Sequence, residues 1–156
     1  MTVEQGRRTH DHDGELVVFL IGMTLNRPWR ADVWMPAFMS MPRMLEELTR
    51  DEDSGLMGYR MTLGRGGPLL VQYWSSVEKL YRYASDREAA HRPAWAEFNR
   101  RARKVPGAVG VWHETYVVER AESMYVDSPV RGLARATSSV PIGRGRDRAQ
   151  DRLGRG

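Results

Sequence analysis

The sequence predicts an α+β fold in which a single antiparallel sheet carries helices on one face. Three observations predict it. β-rich runs alternate with amphipathic helical segments, a glycine-rich turn joins two of the β-rich runs, and the resulting order is strand, helix, strand, strand, helix, strand. This order is the split βαβ arrangement of a ferredoxin-like sandwich. With 156 residues, 41% of them hydrophobic, the chain has the length of one domain with its own core.

The first strand and the first helix follow from hydrophobic periodicity. The run from Glu15 to Thr24 is apolar on both faces, which is typical of a buried central strand. From about Arg30 to Thr49, large apolar residues recur at steps of three and four, the period of a helix. Because Pro36 and Pro42 each remove a backbone donor, we expect a break or kink near residues 40–42.

A hairpin and a short helix come next. The β-rich runs 56–63 and 69–74 flank a turn that contains three glycines, which is typical of a hairpin. Ser75 or Ser76 is then the expected N-cap of a short helix over residues 77–84, because a serine hydroxyl can accept a hydrogen bond from a free backbone amide of the first turn.

The last helix and the last long strand complete the order. We expect a helix over residues 87–104, with His91, Trp95 and Phe98 on its apolar stripe. Pro106-Gly107 stops it, residues 109–118 form the strand, and residues 122–126 add a short edge piece.

The two ends of the chain differ in composition from the middle. Residues 1–14 are polar and predict a flexible N-terminus, residues 15–130 form the folded domain, and residues 131–156 form a tail rich in arginine and glycine that we expect to be disordered. The tail has a net charge of +5, so the rest of the chain is near neutral at −1. This distribution makes binding of nucleic acid or anionic lipid through the basic tail a minor hypothesis.

The chain contains no cysteine and no apolar run long enough to span a bilayer. We therefore expect a cytoplasmic protein without a transmembrane segment and without disulfides.

The predicted strands carry large apolar residues on both sides. Trp112 and Tyr116 alternate with Val111 and Val117 along the last strand, although helices cover only one face of the predicted sheet. We therefore expect a homodimer in which the uncovered faces pack against each other.

Several short phrases, spread over residues 16–136, resemble those of a known family. They are Ile21-Gly22-Met23 with Asn26-Arg27, the Trp34 to Leu45 helix with Met41-Pro42, Asp53-Ser54-Gly55-Leu56, Val71-Gln72-Tyr73-Trp74, His91-Arg92-Pro93-Ala94-Trp95 with Phe98-Asn99, and Trp112-His113-Glu114-Thr115-Tyr116. As a set they resemble the dimeric α+β barrel superfamily, and within it a bacterial monooxygenase-like family of unknown function.

The resemblance implies a small-molecule oxidoreductase. Relatives in the superfamily include cofactor-free monooxygenases, haem-degrading enzymes, aldoxime dehydratases, peroxidases and small binding modules. It therefore implies either no cofactor or haem b, and it specifies the fold better than the chemistry.

His91 and His113 are the main candidates for that chemistry. His91 should face the sheet, where it packs locally, acts as an acid or base, or binds haem iron as axial ligand. His113 shares one face of the last strand with Val111, so it lies near His91 if that face meets the helices. If the pocket lies on the opposite face, Glu114 becomes the candidate acid or base.

Aromatic and amphipathic residues are the candidates for substrate binding. Such side chains line sites for flat apolar ligands, although ordinary core or dimer packing is the alternative for each of them. The candidates are Trp34, Tyr59, Arg60, Gln72, Tyr73, Trp74, Trp95, Asn99 and Trp112.

Three functions follow as hypotheses. The first is a monooxygenase-like enzyme that holds an aromatic or conjugated substrate in an apolar pocket and removes a proton through His113 or His91. The second is a haem enzyme of the dehydratase or peroxidase type with His91 as ligand. The third is a non-catalytic dimer that binds a small ligand. Because His10 and His12 lie in the polar terminus, we expect no metal site there.

Overall fold

The computed structural model describes residues 2–89 and 91–153, and it contains two antiparallel sheets and five helices among them. The elements are β1 (Val3–Asp11), β2 (Leu16–Leu25), α1 (Ala31–Arg50), β3 (Leu56–Gly64), β4 (Gly67–Trp74), α2 (Val77–Ser85), α3 (His91–Ala102), β5 (Val109–Val118), β6 (Tyr125–Pro129), α4 (Gly132–Ala136), β7 (Ser138–Pro141) and α5 (Ala149–Leu153).

The main sheet has the order β3-β4-β2-β5, with every neighbouring pair antiparallel. Its central strand β2 pairs with β5 along its whole length, from Leu16 opposite Val118 to Leu25 opposite Val109. Helices α1 and α3 connect and cover this sheet and pack against each other. The predicted ferredoxin-like α+β fold is therefore confirmed, as is the hairpin, whose turn is Arg65-Gly66.

Helix α1 differs from the sequence prediction because it runs without a break through Pro36 and Pro42. Pro36 has no N–H to donate to the carbonyl of Asp32, one turn earlier. That carbonyl instead accepts a hydrogen bond from Nη1 of Arg101 in α3 at 2.9 Å. A contact between the two helices thus replaces one missing bond within α1.

Helices α2 and α3 lie close to their predicted positions: α2 extends one residue beyond the predicted span of 77–84, and α3 is shorter than predicted. Ser76 is the N-cap of α2, since its Oγ accepts a hydrogen bond from the amide of Lys79 at 3.1 Å. Helix α3 begins at His91 and ends at Ala102, within the predicted span of 87–104; Ala90 lies outside the described residues. Glu97 binds Arg100 and Arg101 on the outer side of α3, at 2.7 and 2.6 Å.

Both ends of the chain contain regular structure where the sequence predicted none. Strand β1 lies between β6 and β7 in the small sheet, and α4 joins this sheet to the main one by packing against β3. Polar pairing rather than apolar burial holds this region together: the buried Thr9 donates to the carbonyl of Ser123 at 2.7 Å, and Arg8 donates to Ser139. The composition of the two ends therefore did not indicate this small sheet. Met1 and residues 154–156 lie outside the described residues.

A charged pair fastens the last helix. The guanidinium of Arg152 is almost fully buried and donates to Oε1 of Glu122 at 2.8 Å, as well as to the carbonyls of Arg146 and Asp147 at 2.9 Å each. This pair links α5 to the segment before β6, and the arginine needs these partners because a buried charge loses its hydration.

Replacing Glu122 by Gln should lower the free energy of local opening at the end of the chain by about 2 kcal/mol. A hydrogen bond to a charged group in a sheltered site contributes about that much. Hydrogen exchange of residues 138–153 measures the effect, and the main sheet should keep its protection. Asp147→Asn is the matched control: its pair with Arg7 is exposed and should contribute less than about 1 kcal/mol. Equal loss of protection in both sheets would contradict this assignment.

The core lies on the helix-facing side of the main sheet, where Val17, Leu48, Trp74 and Leu80 form a buried cluster. On the opposite side, Trp112 and Tyr116 remain exposed in the single chain. A second copy that covers this face stays a prediction. In the part of the chain that the structure describes, no helix is both long and apolar enough to cross a membrane.

Candidate functional site

A cavity of about 340 Å³ lies between α1, α3 and the helix-facing side of the main sheet. Its wall is mainly apolar, and methionines from strands and helix contribute to it, so the wall can adapt to the shape of a ligand. The residues that line it are Phe19, Ile21, Gly22, Met23, Ala37, Phe38, Ser40, Met41, Met44, Leu45, Leu48, Met61, Pro68, Leu70, Gln72, Trp74, Leu80, Tyr83, Ala84, His91, Arg92, Ala94, Trp95, Phe98, Val111 and His113. Both predicted histidines therefore belong to one cavity.

His91 lies on the cavity wall at the first position of α3. Its Nδ1 is buried and has no hydrogen-bond partner among the described residues. Burial lowers the pKa of His91 below the ordinary value of 6.5, and a hydrogen bond with the backbone of Ala84 opposes this shift. The imidazole is therefore neutral at physiological pH, and a neutral imidazole can accept a proton.

Tyr83 of α2 is the neighbour of His91, with the two ring centroids 4.8 Å apart. Its hydroxyl is also buried without a partner among the described residues, and burial raises its pKa to about 12. The phenol thus stays protonated and can donate a hydrogen bond. Sequence analysis missed this residue, although Leu80, Tyr83 and Ala84 follow the helical spacing of a buried stripe.

Gln72 and Trp74 add polar atoms to the wall from β4. They are buried on the same face of the strand, and the indole Nε1 of Trp74 donates to Oε1 of Gln72 at 2.9 Å. Because this bond uses the amide oxygen, the side-chain NH₂ of Gln72 keeps its two donors for other groups.

His113 reaches the cavity from the edge strand β5 and remains exposed in the single chain. Its ring lies 5.7 Å from that of Phe19, centroid to centroid, and it pairs in register with Ile21. The face of β5 that carries Val111 and His113 is therefore the one that meets the helices, as the first of the two alternatives predicted. No hydrogen bond joins the two histidines within the described residues.

Glu114 lies on the opposite face of β5, so it does not line the cavity. Its Oε2 accepts a hydrogen bond from the hydroxyl of Tyr116 at 2.7 Å. Trp112 occupies the same outer face and covers Gly22, where a Cβ would lie only 2.3 Å from the indole ring. Side chains alternate along a strand, so a strand that sends His113 inward must send these residues outward.

The remaining predicted substrate-binding residues divide between the cavity and the surface. Trp95 lines the cavity and is 45% exposed, which places it at the edge of the wall. Trp34, Tyr59, Arg60, Tyr73 and Asn99 do not line it.

Each of these five has a physical reason for its position. The indole of Trp34 donates to the carbonyl of Pro28 at 3.0 Å and so turns toward the start of α1. Tyr73 pairs with Gly58, and Arg60 pairs with Val71, on the outer face of the sheet. Tyr59 shares the inner face with Met61 but lies on the edge strand and is 44% exposed. Asn99 follows Phe98 in α3. The side chain of Phe98 faces the cavity, and the next residue of a helix points in a different direction.

A family model described as Monooxygenase af470-like matches residues 16–133, which include every element that forms the cavity. No curated protein gives a match to this chain.

Solved structures show similarity in fold. An aldoxime dehydratase, OxdRE, in complex with butyraldoxime is 17% identical with a TM-score of 0.53, over 72% of this chain and 34% of its own. SnoaB, a cofactor-independent oxygenase from Streptomyces nogalater, is 11% identical with a TM-score of 0.43, over 69% of this chain and 97% of its own. A dimeric ferredoxin-like protein of unknown function from Jannaschia sp. CCS1 is 15% identical with a TM-score of 0.45, over 64% of this chain and 97% of its own.

Proposed function

This chain belongs to the Monooxygenase af470-like family, and we propose that it is an oxidoreductase that uses dioxygen to oxidise a small aromatic or conjugated molecule bound in the cavity. The proposal rests on one observation above all. Two polar atoms, Nδ1 of His91 and the hydroxyl of Tyr83, are buried on neighbouring rings of a mainly apolar wall, and neither has a partner among the described residues. A buried polar group without a partner costs about 1–3 kcal/mol, so a ligand that supplies the partner gains that energy.

The chemistry follows from the protonation states. A neutral His91 accepts a proton from an acidic C–H or O–H of the substrate, which raises the electron density of the conjugated system. Tyr83 and the amide of Gln72 are donors that can stabilise the resulting oxyanion. Dioxygen then oxidises an activated CH₂ group to C=O. One oxygen atom enters the product and the other leaves as water with the two hydrogens of the CH₂, so the substrate itself supplies all four electrons. His113, at the edge of the cavity, is the second candidate for the base.

The alternative to a cofactor-free reaction is a haem enzyme, and one feature of the surroundings of His91 favours it. An imidazole that binds a metal usually ties its other ring nitrogen to a carbonyl or carboxylate. The backbone of Ala84 raises the pKa of His91, which is the effect of such a carbonyl, and Nδ1 has no partner among the described residues. His91 would hold the iron from α3, and the apolar wall would surround the macrocycle. Haem would supply iron-based chemistry at that position. A Soret band in freshly purified protein tests this alternative directly.

The test of the main proposal is oxygen uptake with a panel of anthrones and phenols as probes. Turnover should consume one dioxygen for each C=O formed, without added reductant, flavin or metal, because the substrate provides all four electrons that dioxygen takes up. The matched controls are the methyl ethers of the phenols, and anthrones that carry two methyl groups on the reactive CH₂ carbon, since neither has the acidic proton. If the probes bind but no oxygen is consumed, the protein is a non-catalytic ligand-binding protein and the proposal is wrong.

A further inference from the structure

The two most exposed large hydrophobic side chains among the described residues are Trp29 and Leu63, which are 74% and 73% accessible. Trp29 precedes α1, and Leu63 lies at the tip of the β3–β4 hairpin. Neither residue contributes to the cavity. Their exposure therefore needs a separate reason, because large apolar groups at a surface commonly mark a contact.

Both residues lie at the same end of the molecule. The amide of Leu25 donates to the carbonyl of Gly66 at 3.4 Å, which ties the hairpin tip to the end of β2. The amide of Arg27 donates to the carbonyl of Ala108 at 3.0 Å, which ties in the loop before β5. Three segments thus meet there, and we call them together the loop end: they are residues 25–30, 63–68 and 103–108.

The loop end is strongly basic. Arg27, Arg65, Arg103 and Lys104 are exposed, and none has an ion-pair partner within the described residues. The three segments contain no carboxylate at all; the fifth cation, Arg30, is paired with the adjoining Asp32 at 2.6 Å. Outside the tail the chain is nearly neutral, so these charges are concentrated here rather than spread evenly.

We propose that the loop end docks on the surface of an anionic lipid bilayer. Tryptophan is favoured at the boundary between headgroups and acyl chains, leucine inserts below it, and arginine and lysine attract anionic headgroups. Trp29, Leu63 and the four free cations provide that combination on one surface. A nucleic acid would use the cations but would leave Leu63 in water, so a bilayer accounts for more of the surface.

The test is sedimentation of the full chain with phosphatidylcholine vesicles, with and without phosphatidylserine, at low and high salt. The wild type should bind only the vesicles that contain phosphatidylserine, and salt should weaken binding. Arg27→Gln with Arg65→Gln should lower partitioning about 30-fold, since each surface cation contributes about fivefold. Trp29→Ala should lower it about tenfold, through lost apolar burial.

Arg144→Gln with Arg148→Gln is the matched control, because it removes the same charge from two exposed arginines of the tail. This variant should bind the vesicles as the wild type does. The proposal is overturned if the wild type ignores anionic vesicles at low salt, if the tail variant loses binding instead, or if the loop-end residues bind a DNA duplex and not vesicles. The readout is binding alone, so its failure leaves the proposed oxidation chemistry untouched.

Discussion

Replacing His91 by Gln is expected to lower turnover of an oxidisable probe by about 10²- to 10⁴-fold, the usual contribution of a positioned base. Glutamine keeps a polar side chain of similar reach but cannot accept a proton near neutral pH. Because burial lowers the pKa of His91, the wild-type rate should fall only as the pH drops below the ordinary histidine value of 6.5. The measurement is kcat/KM as a function of pH for both proteins.

The same pKa shift predicts an effect on stability that needs no substrate. In the unfolded chain His91 takes up a proton at higher pH than in the folded protein. The stability that the neutral imidazole contributes is therefore complete above about pH 6.5 and is lost as the pH falls through the lowered pKa. His91→Gln should reduce this acid-side loss, as denaturant unfolding at several pH values would show.

His113→Gln is the matched control for the catalytic assignment, because it makes the same change at the edge of the same cavity. We expect a much smaller effect on the rate, since His113 is exposed and competes with water for any substrate proton. The reverse order of effects would transfer the role of base to His113. Equal activity of wild type, both single variants and the double variant would favour a non-catalytic binding protein.

Replacing Gly67 by Ala should destabilise the protein by about 4 kcal/mol. Gly67 begins β4 with φ +114°, a conformation that costs other residues about 1–3 kcal/mol. In addition, a Cβ at this position would lie 2.0 Å from the backbone oxygen of Met23 in β2, so the central pair of strands would have to move apart. Overpacking of this kind adds about 1–3 kcal/mol. Denaturant unfolding gives the difference in free energy.

Gly66→Ala makes the same change one residue earlier in the turn, and there a Cβ meets nothing within 4 Å. We expect a change within about 0.5 kcal/mol, as for most exposed positions. If both alanine variants lose similar stability, the loss belongs to hairpin formation in general, and the close approach between β2 and β4 is not its cause.

Much of the fold could be predicted because its signals are local. The apolar run of β2, the helical spacing in α1 and the glycines of the β3–β4 turn each specify one element, and their order specifies the sheet. Because side chains alternate along β5, His113 could lie only on the helix-facing side of the sheet or on the outer side. In the structure it lies on the helix-facing side. The uninterrupted course of α1 at Pro36 was not predictable, because the carbonyl of Asp32 accepts its hydrogen bond from Arg101, which is distant in the sequence.

The terminal elements and part of the site depend on contacts across long stretches of sequence. Strand β1 pairs with segments more than a hundred residues away and buries few large apolar groups, so its composition resembles that of a flexible end. Tyr83 was missed because a tyrosine on a short helix is common, and its significance lies in its distance from His91. Arg60 and Tyr73 were placed wrongly because the faces of β3 and β4 depend on the register of the hairpin, including its irregularity between Leu56 and Gly58.

The hydrogen bond from Arg101 to the carbonyl of Asp32 ties two walls of the cavity to each other at one end. These walls cannot separate there without losing a charge-assisted bond, so we expect a ligand to enter the cavity away from this end. Met41 and Met44 are flexible lining side chains, and Trp95 is partly exposed, so these three groups can adjust to the shape of a ligand. The amide that Pro36 lacks thus leaves a carbonyl free to hold the two helices together beside the cavity.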